Sequence, residues 1–185
     1  MTNRCNRPGL MGGLNLYQFA ANADRWVDPW GWAGYSTTPM DPYYGGEHLP
    51  GNTNNWLQGR STVTYLDDTG RQAYKLTTKN GLLYDAKGNL FDTAGGSSLH
   101  RGGGGRAIFV MDSTGNIYAS NYHGKGKFHH SSFLAGGPVA AAGEISVVRG
   151  KLTEITDRSG HYKPAPKFLA QAKDSLSKKG VRCPR

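Results

Sequence analysis

The side chains best suited to chemistry are concentrated in residues 129–162, a stretch of 34 positions. It contains histidine, serine, glutamate and tyrosine, and nearby glycines would let a ligand approach the backbone. Histidine and glutamate transfer protons, and a buried carboxylate stabilises a developing positive charge. The candidate residues are His129, His130, Ser131, Ser132, Glu144, His161 and Tyr162.

A metal site is one chemistry that such histidines suggest, because several His, Asp or Glu side chains must converge on an ion. His129 and His130 are adjacent, and neighbouring side chains of an extended chain point in opposite directions. The sequence has no His-Glu-x-x-His motif. We identify no set of metal ligands. A metal-dependent nuclease that uses His129, His130 or His161 stays open as an alternative.

Two other catalytic motifs are missing from the sequence. A Ser-His-acid hydrolase usually carries its serine in a Gly-x-Ser-x-Gly turn, and the sequence has none. Residues 101–106, RGGGGR, are rich in glycine but lack the Lys-Ser or Lys-Thr that completes a P-loop. Neither a hydrolase of this type nor a P-loop enzyme is therefore predicted.

Cleavage of the nicotinamide–ribose bond of NAD would use every residue type in the stretch. An aromatic ring stacks on the nicotinamide, and serine and histidine bind near the ribose. A glutamate stabilises the oxocarbenium-like transition state electrostatically. Tyr118, in a predicted strand upstream, supplies a further aromatic ring.

The elements that must position these side chains are mainly strands. Turn residues separate pairs of apolar-rich runs, which predicts four antiparallel strand pairs. Residues 107–111, AIFVM, are continuously apolar and are predicted to be the most buried strand. A helix is predicted to open at Pro166 and to end at Gly180. The fold class is therefore α+β, mostly antiparallel β with a C-terminal helix. The predicted strands are residues 61–66, 72–77, 82–85, 89–91, 107–111, 116–120, 144–148 and 152–156.

Composition bounds the number of domains and the kind of partner. A chain of 185 residues can form one domain with a real core, and no run of 18 apolar residues is present to span a membrane. The net charge is +9, and residues 101–185 hold the whole excess. This asymmetry favours a polyanionic partner: nucleic acid, a dinucleotide or an acidic protein. Residues 33–55 are rich in proline, glycine and polar residues and are interpreted as a linker.

Residues 12–32, GGLNLYQFAANADRWVDPWGW, resemble the end of the core of Rhs (YD-repeat) polymorphic toxins. In that family a variable toxin domain follows an Asp-Pro-x-Gly element, which here is residues 28–31. The resemblance implies a core remnant over residues 1–32, a linker over 33–55 and a toxin domain over 56–185. It also implies delivery on a carrier by type VI secretion and action in the cytoplasm of the target cell.

Residues 72–180 are similar to a domain that occurs in bacterial toxins and in plant IQ-motif proteins. The bacterial members are regarded as divergent ADP-ribosyltransferases of the His-Tyr-Glu type, so the resemblance implies the split sheets of that fold. The runs that carry the similarity include AIFVMD at 107–112, FHHSSFLAG at 128–136 and SGHYKP at 159–164. The resemblance implies catalytic roles for Glu144, His129, His130 and Tyr162, and NAD-binding roles for Ser131, Ser132, His161 and Tyr118.

Together these resemblances imply an antibacterial effector that transfers ADP-ribose from NAD to a target molecule. The charge of residues 101–185 favours structured RNA as the acceptor, with a protein as the other option. A producing cell would need an immunity protein, which we expect to be acidic and to cover His129 and Glu144. A nuclease and a binding domain without enzyme activity are the competing interpretations.

Overall fold

The apolar run that the sequence predicts as the most buried strand forms the centre of the fold. The computed structural model describes residues 34–99 and 104–184, and all five side chains of Ala107–Met111 are fully buried in it. The Rhs-like residues 1–32 lie outside the described residues, as do residues 101–103 of the glycine-rich run. The elements are a 3-10 turn at Pro42–Tyr44, α1 (Asp68–Gln72), β1 (Lys75–Lys79), β2 (Leu82–Tyr84), β3 (Ala107–Met111), β4 (Ile117–Ser120), α2 (His130–Phe133), β5 (Ala141–Val148), β6 (Lys151–Ile155) and α3 (Pro166–Lys178).

All six strands join one antiparallel sheet in the order β2-β1-β4-β3-β5-β6. The predicted α+β class, mostly antiparallel with a C-terminal helix, is confirmed. The expected division into split sheets is not seen among the described residues, because β3 hydrogen-bonds to both β4 and β5. The sheet is also curved, because its two outer strands, β2 and β6, come close together. Leu83 of β2 donates a backbone hydrogen bond of 2.8 Å to the carbonyl oxygen of Gly150, which precedes β6.

The two faces of the sheet have different cover, because side chains alternate along each strand. One face carries Phe109 and packs against Ala172 and Leu176 of α3. The opposite face carries Val110 and packs against Phe133 of α2. We call this second face the site face, because the histidine and serine side chains of α2 approach the sheet from it.

Helix α3 begins where the sequence predicts, at Pro166 in its first turn, and it ends at Lys178. Proline is tolerated there because the first N–H groups of a helix have no partner inside it. Phe168, Ala172 and Leu176 form its buried side. Within the described residues, no helix combines the length and the apolar character needed to cross a membrane.

The first predicted strand pair does not form. Residues 61–66 belong to no strand of the sheet. Asp67 caps α1 instead, because its side chain accepts a hydrogen bond of 2.6 Å from the backbone N–H of Gly70. The run that looks like a hairpin turn is therefore the start of a short helix.

The first hairpin joins β1 to β2 through Asn80 and Gly81. Both residues have positive φ, at 52° and 76°, which is the geometry that an Asn-Gly turn favours. Of the predicted strand at residues 89–91, only Leu90 pairs, through one bridge to Tyr84. The pairs β3–β4 and β5–β6 lie within three residues of their predicted positions.

Residues 34–55, whose composition suggests a linker, belong to the same compact unit as the sheet. Thr38 and Val139 exchange backbone hydrogen bonds of 2.8 and 3.0 Å. Proline and glycine supply turns in this segment, including the one at Pro42–Tyr44. The segment places Glu47 in the interior with no exposed surface.

Gly143 of β5 lies so close to the backbone at Thr156 that a side chain has no room there. A Cβ there would lie 1.8 Å from the carbonyl oxygen of Thr156. We expect Gly143→Ala to lower the free energy of unfolding by about 1–3 kcal/mol, because the backbone must shift to relieve the overlap. Urea denaturation measures this change. The control is Gly95→Ala, whose Cβ would meet no atom within 4 Å; equal losses in the two variants would contradict the prediction.

Candidate functional site

A cavity of about 380 Å³, which we call the main cavity, opens beside α2. Its volume falls within the usual range for small-molecule sites. Three aromatic rings, four histidines and one lysine make up most of the wall. The lining residues are Tyr43, Tyr44, Trp56, Leu99, His123, Lys125, His129, His130, Gly160 and His161.

Glu47 is a fully buried carboxylate behind this wall, and four side chains donate to it. Its Oε1 accepts from the hydroxyl of Ser131 at 2.5 Å and from that of Tyr65 at 3.5 Å. Its Oε2 accepts from the indole N–H of Trp56 at 2.7 Å and from Nε2 of His161 at 3.0 Å. A carboxylate that accepts from both oxygens is held in its ionised form.

Two opposing effects set the pKa of Glu47. Burial raises the pKa, because it disfavours the charged form. The hydrogen bond and charge of His161, with the hydrogen bonds from Ser131 and Trp56, lower it by more. The pKa therefore lies below its ordinary value, and Glu47 is negatively charged at neutral pH.

His161 joins this carboxylate to the main cavity. Because an ionised carboxylate only accepts hydrogen bonds, Nε2 of His161 donates to Glu47 and carries a proton. Nδ1 is then the ring nitrogen that can exchange a proton with a ligand. The ring stacks on Tyr44 at 3.9 Å and on His129 at 4.6 Å between centroids, which fixes its plane.

His129 is locked in one neutral tautomer. The backbone N–H of Gly126 donates to its Nε2 at 2.9 Å, so the ring proton is on Nδ1. Nδ1 lies 3.1 Å from Nε2 of His123 and donates to it. Burial, followed by the charges of His161 and His123, lowers the pKa of His129 to about 3. His129 therefore orients His123 rather than titrating near neutral pH.

His130 is also buried and neutral. Its Nε2 donates to the carbonyl oxygen of Gly143 at 2.9 Å. Burial holds the pKa of His130 well below its ordinary value, and the nearby His123 lowers it further. This hydrogen bond fixes α2 to the sheet through β5.

The two serines of α2 have separate structural partners. Ser131 donates to Glu47, as described above. The hydroxyl of Ser132 accepts from the backbone N–H of His129 at 3.0 Å, which is one half of a capping box at the start of α2. The predicted ligand-binding serines therefore hold the histidine segment and the buried carboxylate in place.

Glu144, the predicted catalytic glutamate, lies on β5 opposite Ile108 and is fully buried. It accepts a hydrogen bond from the hydroxyl of Ser98. It does not line the main cavity, although Leu99, the residue after Ser98, does. The described residues thus include two fully buried carboxylates, and Glu47 is joined directly to the cavity-lining ring of His161 by a hydrogen bond.

The two predicted tyrosines lie in the core. The hydroxyl of Tyr162 donates to the carbonyl oxygen of Gly137 at 2.8 Å, and burial raises its pKa. The hydroxyl of Tyr118 donates to Asp112 at 3.2 Å, and burial again raises the pKa. Neither tyrosine lines the main cavity.

Sequence reasoning missed Glu47, Tyr44, Trp56 and His123. Tyr44 and Glu47 lie in the segment 33–55 that was interpreted as a linker, and Trp56 is the first residue of the predicted domain. Only the adjacent aromatic residues at 43–44 and the Gly-Lys repeat after His123 are local signals of a site. Within residues 34–99 and 104–184, no three His, Cys, Asp or Glu side chains are placed to hold a metal ion.

Comparison with known proteins identifies relatives of the central and C-terminal residues. The family described as "IQ motif-containing protein middle domain" matches residues 70–169. IQ domain-containing protein IQM3 of Arabidopsis thaliana is 38% identical over 108 residues, which are 58% of this chain and 22% of that protein. IQ domain-containing protein IQM5 of the same plant is 35% identical over 109 residues, 58% of this chain and 20% of that protein. The chain thus spans about a fifth of the length of these plant relatives.

A bacterial toxin is also similar. Double-stranded DNA deaminase toxin A of Burkholderia cenocepacia is 36% identical over 74 residues, which are 40% of this chain and 5% of that toxin. No solved structure matches the chain. The predicted resemblance to plant IQ-motif proteins over residues 72–180 is confirmed by the family match. That match begins after Tyr44, Glu47 and Trp56, so Tyr44 and Trp56 line the cavity, and Glu47 lies behind its wall, from outside the matched region.

Proposed function

The chain belongs to the family of the IQ motif-containing protein middle domain, and from that premise we propose that it is a toxin enzyme that transfers ADP-ribose from NAD. The observation that carries this proposal is the pair of Glu47 and His161 at the wall of an aromatic cavity. The similarity to a bacterial toxin supports the toxin class.

The main cavity suits the nicotinamide end of NAD in size and in chemistry. The rings of Tyr43, Tyr44 and Trp56 give a planar heterocycle surfaces to stack on. Lys125 supplies a positive charge at the wall for the adjoining phosphates. A mainly aromatic pocket with a few convergent polar groups is typical of a cofactor or substrate site.

The proposed reaction breaks the bond between C1′ of the ribose and the nicotinamide nitrogen. The bonding electron pair leaves with nicotinamide, and positive charge develops on the ribose. The buried negative charge of Glu47 stabilises that charge, acting from behind His161. Nδ1 of His161 takes the proton of the acceptor as the acceptor bonds to C1′. In this assignment Glu47 has the electrostatic role that the sequence predicted for Glu144.

The biological setting is part of the same proposal. The effector is carried by type VI secretion and acts in the cytoplasm of a competing cell. The acceptor is structured RNA or a protein. An acidic immunity protein covers the main cavity in the producing cell, because the chain carries a net charge of +9.

The test is an assay of the full 185-residue chain with NAD, RNA and cell extract, with and without a chelator. We expect release of nicotinamide that a chelator leaves unchanged, and RNA of unaltered length. Intact NAD with RNA shortened only when metal is present would support the nuclease instead. Intact NAD and intact RNA under every condition would favour a binding domain.

Tyr44 provides a second check on the same site. We expect Tyr44→Leu to raise KM for NAD about fivefold, because a stacked ring contributes about 1 kcal/mol to binding. We expect kcat to fall as well, because the Tyr44 ring also holds the plane of His161. Tyr122→Leu is the control, since Tyr122 is exposed and does not line the main cavity. Steady-state kinetics of nicotinamide release measures both variants, and an equal rise in KM would argue against stacking on Tyr44.

A further inference from the structure

A second cavity, of about 320 Å³, adjoins the main cavity. Trp56 and Lys125 line both, so the two cavities are neighbours that share part of their walls. The second cavity differs from the first because it has no histidine and gains an arginine. Its lining residues are Trp56, Leu57, Arg60, Ser61, Lys125 and Gly126.

Arg60 is held at this cavity by its own segment. Its Nε donates to the carbonyl oxygen of Leu57 at 3.3 Å, and Nη2 donates to the side chain of Gln58 at 3.2 Å. These bonds use two of the five N–H donors of the guanidinium group. The remaining donors suit a bidentate contact with a phosphate, and Lys125, which also lines this cavity, adds a second positive charge.

Gly126 connects this cavity to the histidines of the main cavity. Its φ of +67° favours glycine, and a Cβ there would lie 2.6 Å from the hydroxyl oxygen of Ser61. Its backbone N–H donates to His129. The turn that lines the second cavity at Gly126 thus also sets the tautomer of His129.

We propose that the second cavity is a pyrophosphate subsite, in which Arg60 and Lys125 bind the phosphates of a dinucleotide whose nicotinamide end occupies the main cavity. The identity of that dinucleotide rests on the proposed function, but the subsite itself does not. A ligand that spans both cavities passes Trp56, with an aromatic ring on one side and its phosphates on the other. Nicotinamide mononucleotide, which has one phosphate, would reach the subsite less completely.

The experiment measures binding of inorganic pyrophosphate to the full chain by calorimetry, with ADP-ribose as a competitor. We expect pyrophosphate to bind, and we expect its affinity to fall as salt is added. ADP-ribose should displace it. Arg60→Gln together with Lys125→Gln is expected to weaken pyrophosphate binding at least about tenfold. The control is Arg182→Gln, which removes an exposed arginine that lines neither cavity.

The subsite would be overturned if the unaltered chain does not bind pyrophosphate, or if the double variant and Arg182→Gln bind it with the same affinity. Displacement of pyrophosphate by a short RNA but not by ADP-ribose would also overturn it, in favour of a nucleic-acid groove. Pyrophosphate binding that Arg60→Gln and Lys125→Gln weaken, in a chain that leaves NAD intact, would support the subsite while refuting the proposed transferase. The experiment can therefore refute the pyrophosphate subsite and the proposed transferase independently of each other.

Discussion

Replacing Glu47 by glutamine is expected to lower kcat for nicotinamide release by about 100- to 1000-fold, with little change in KM. This is the usual range for losing one preorganised electrostatic group that acts on charge in the transition state. Glu47 is fully buried and joined to a cavity-lining ring through His161. Its charge is therefore weakly screened and contributes mainly when positive charge develops on the ribose.

Glutamine is a suitable replacement because the site can accommodate an amide. All four partners of Glu47 donate to it, so an amide nitrogen must face one that can also accept. The hydroxyl of Ser131 can rotate and accept, which leaves the amide oxygen for Trp56 and His161. We therefore expect Glu47→Gln to fold, and circular dichroism and the melting temperature check this before kinetics.

Glu144→Gln is the matched comparison, because Glu144 is an equally buried carboxylate that does not line the main cavity. We expect it to reduce kcat by much less than Glu47→Gln at equal folded content. The pH dependence of kcat adds a readout that a structural role would not move, since removing the charge of Glu47 alters proton exchange at His161. If Glu144→Gln abolishes nicotinamide release and Glu47→Gln does not, the roles assigned to the two carboxylates are reversed.

The free energy of unfolding is expected to fall by about 4 kcal/mol between pH 7 and pH 5, about 2 kcal/mol from each of two buried histidines. Burial lowers the pKa of His129 to about 3 and that of His130 well below its ordinary value. The unfolded chain takes up these protons near pH 6.5 and the folded chain does not, so stability is lost as the pH falls below about 6.5. The lowered pKa of Glu47 has the opposite effect on stability: it stabilises the folded protein above about pH 4.5, and this contribution is lost only at lower pH. The contribution of Glu47 is therefore nearly constant between pH 7 and pH 5.

Urea denaturation at several pH values tests this prediction. His130→Gln keeps a donor for Gly143 and removes one titrating group, so the fall between pH 7 and pH 5 should drop by about half. His48→Gln is the control, because it removes an exposed histidine in place of a buried one. The readout is the slope with pH, so a uniform loss of stability in His130→Gln does not affect it. An unchanged slope in His130→Gln would contradict the prediction, because it would show that His130 takes up its proton alike in the folded and the unfolded protein.

Local pattern was enough for much of the sheet and for the last helix. The apolar run at Ala107–Met111 and the hairpin from β5 to β6 follow from turn chemistry and periodicity between near neighbours. Helix α3 was predictable for the same reason, because Pro166 marks its first turn and the spacing of its apolar residues marks its buried side. Errors arose where one motif serves two structures, as at Asp67, which caps a helix where a turn was expected.

The amino-acid sequence by itself determined the α+β class, the central buried strand, the C-terminal helix and the histidine segment from His129 to His161. Only the tertiary structure decided that His161 meets Glu47. Glu47 bonds to Ser131 and His161, which are 84 and 114 residues away in the chain. Local periodicity cannot predict a pairing at such a separation. The pairing depends on how the segment at 34–55 packs against the curved sheet. A run rich in proline and glycine has the composition of a linker, yet its turns place one charged side chain in the interior, where four hydrogen bonds offset the cost of burial.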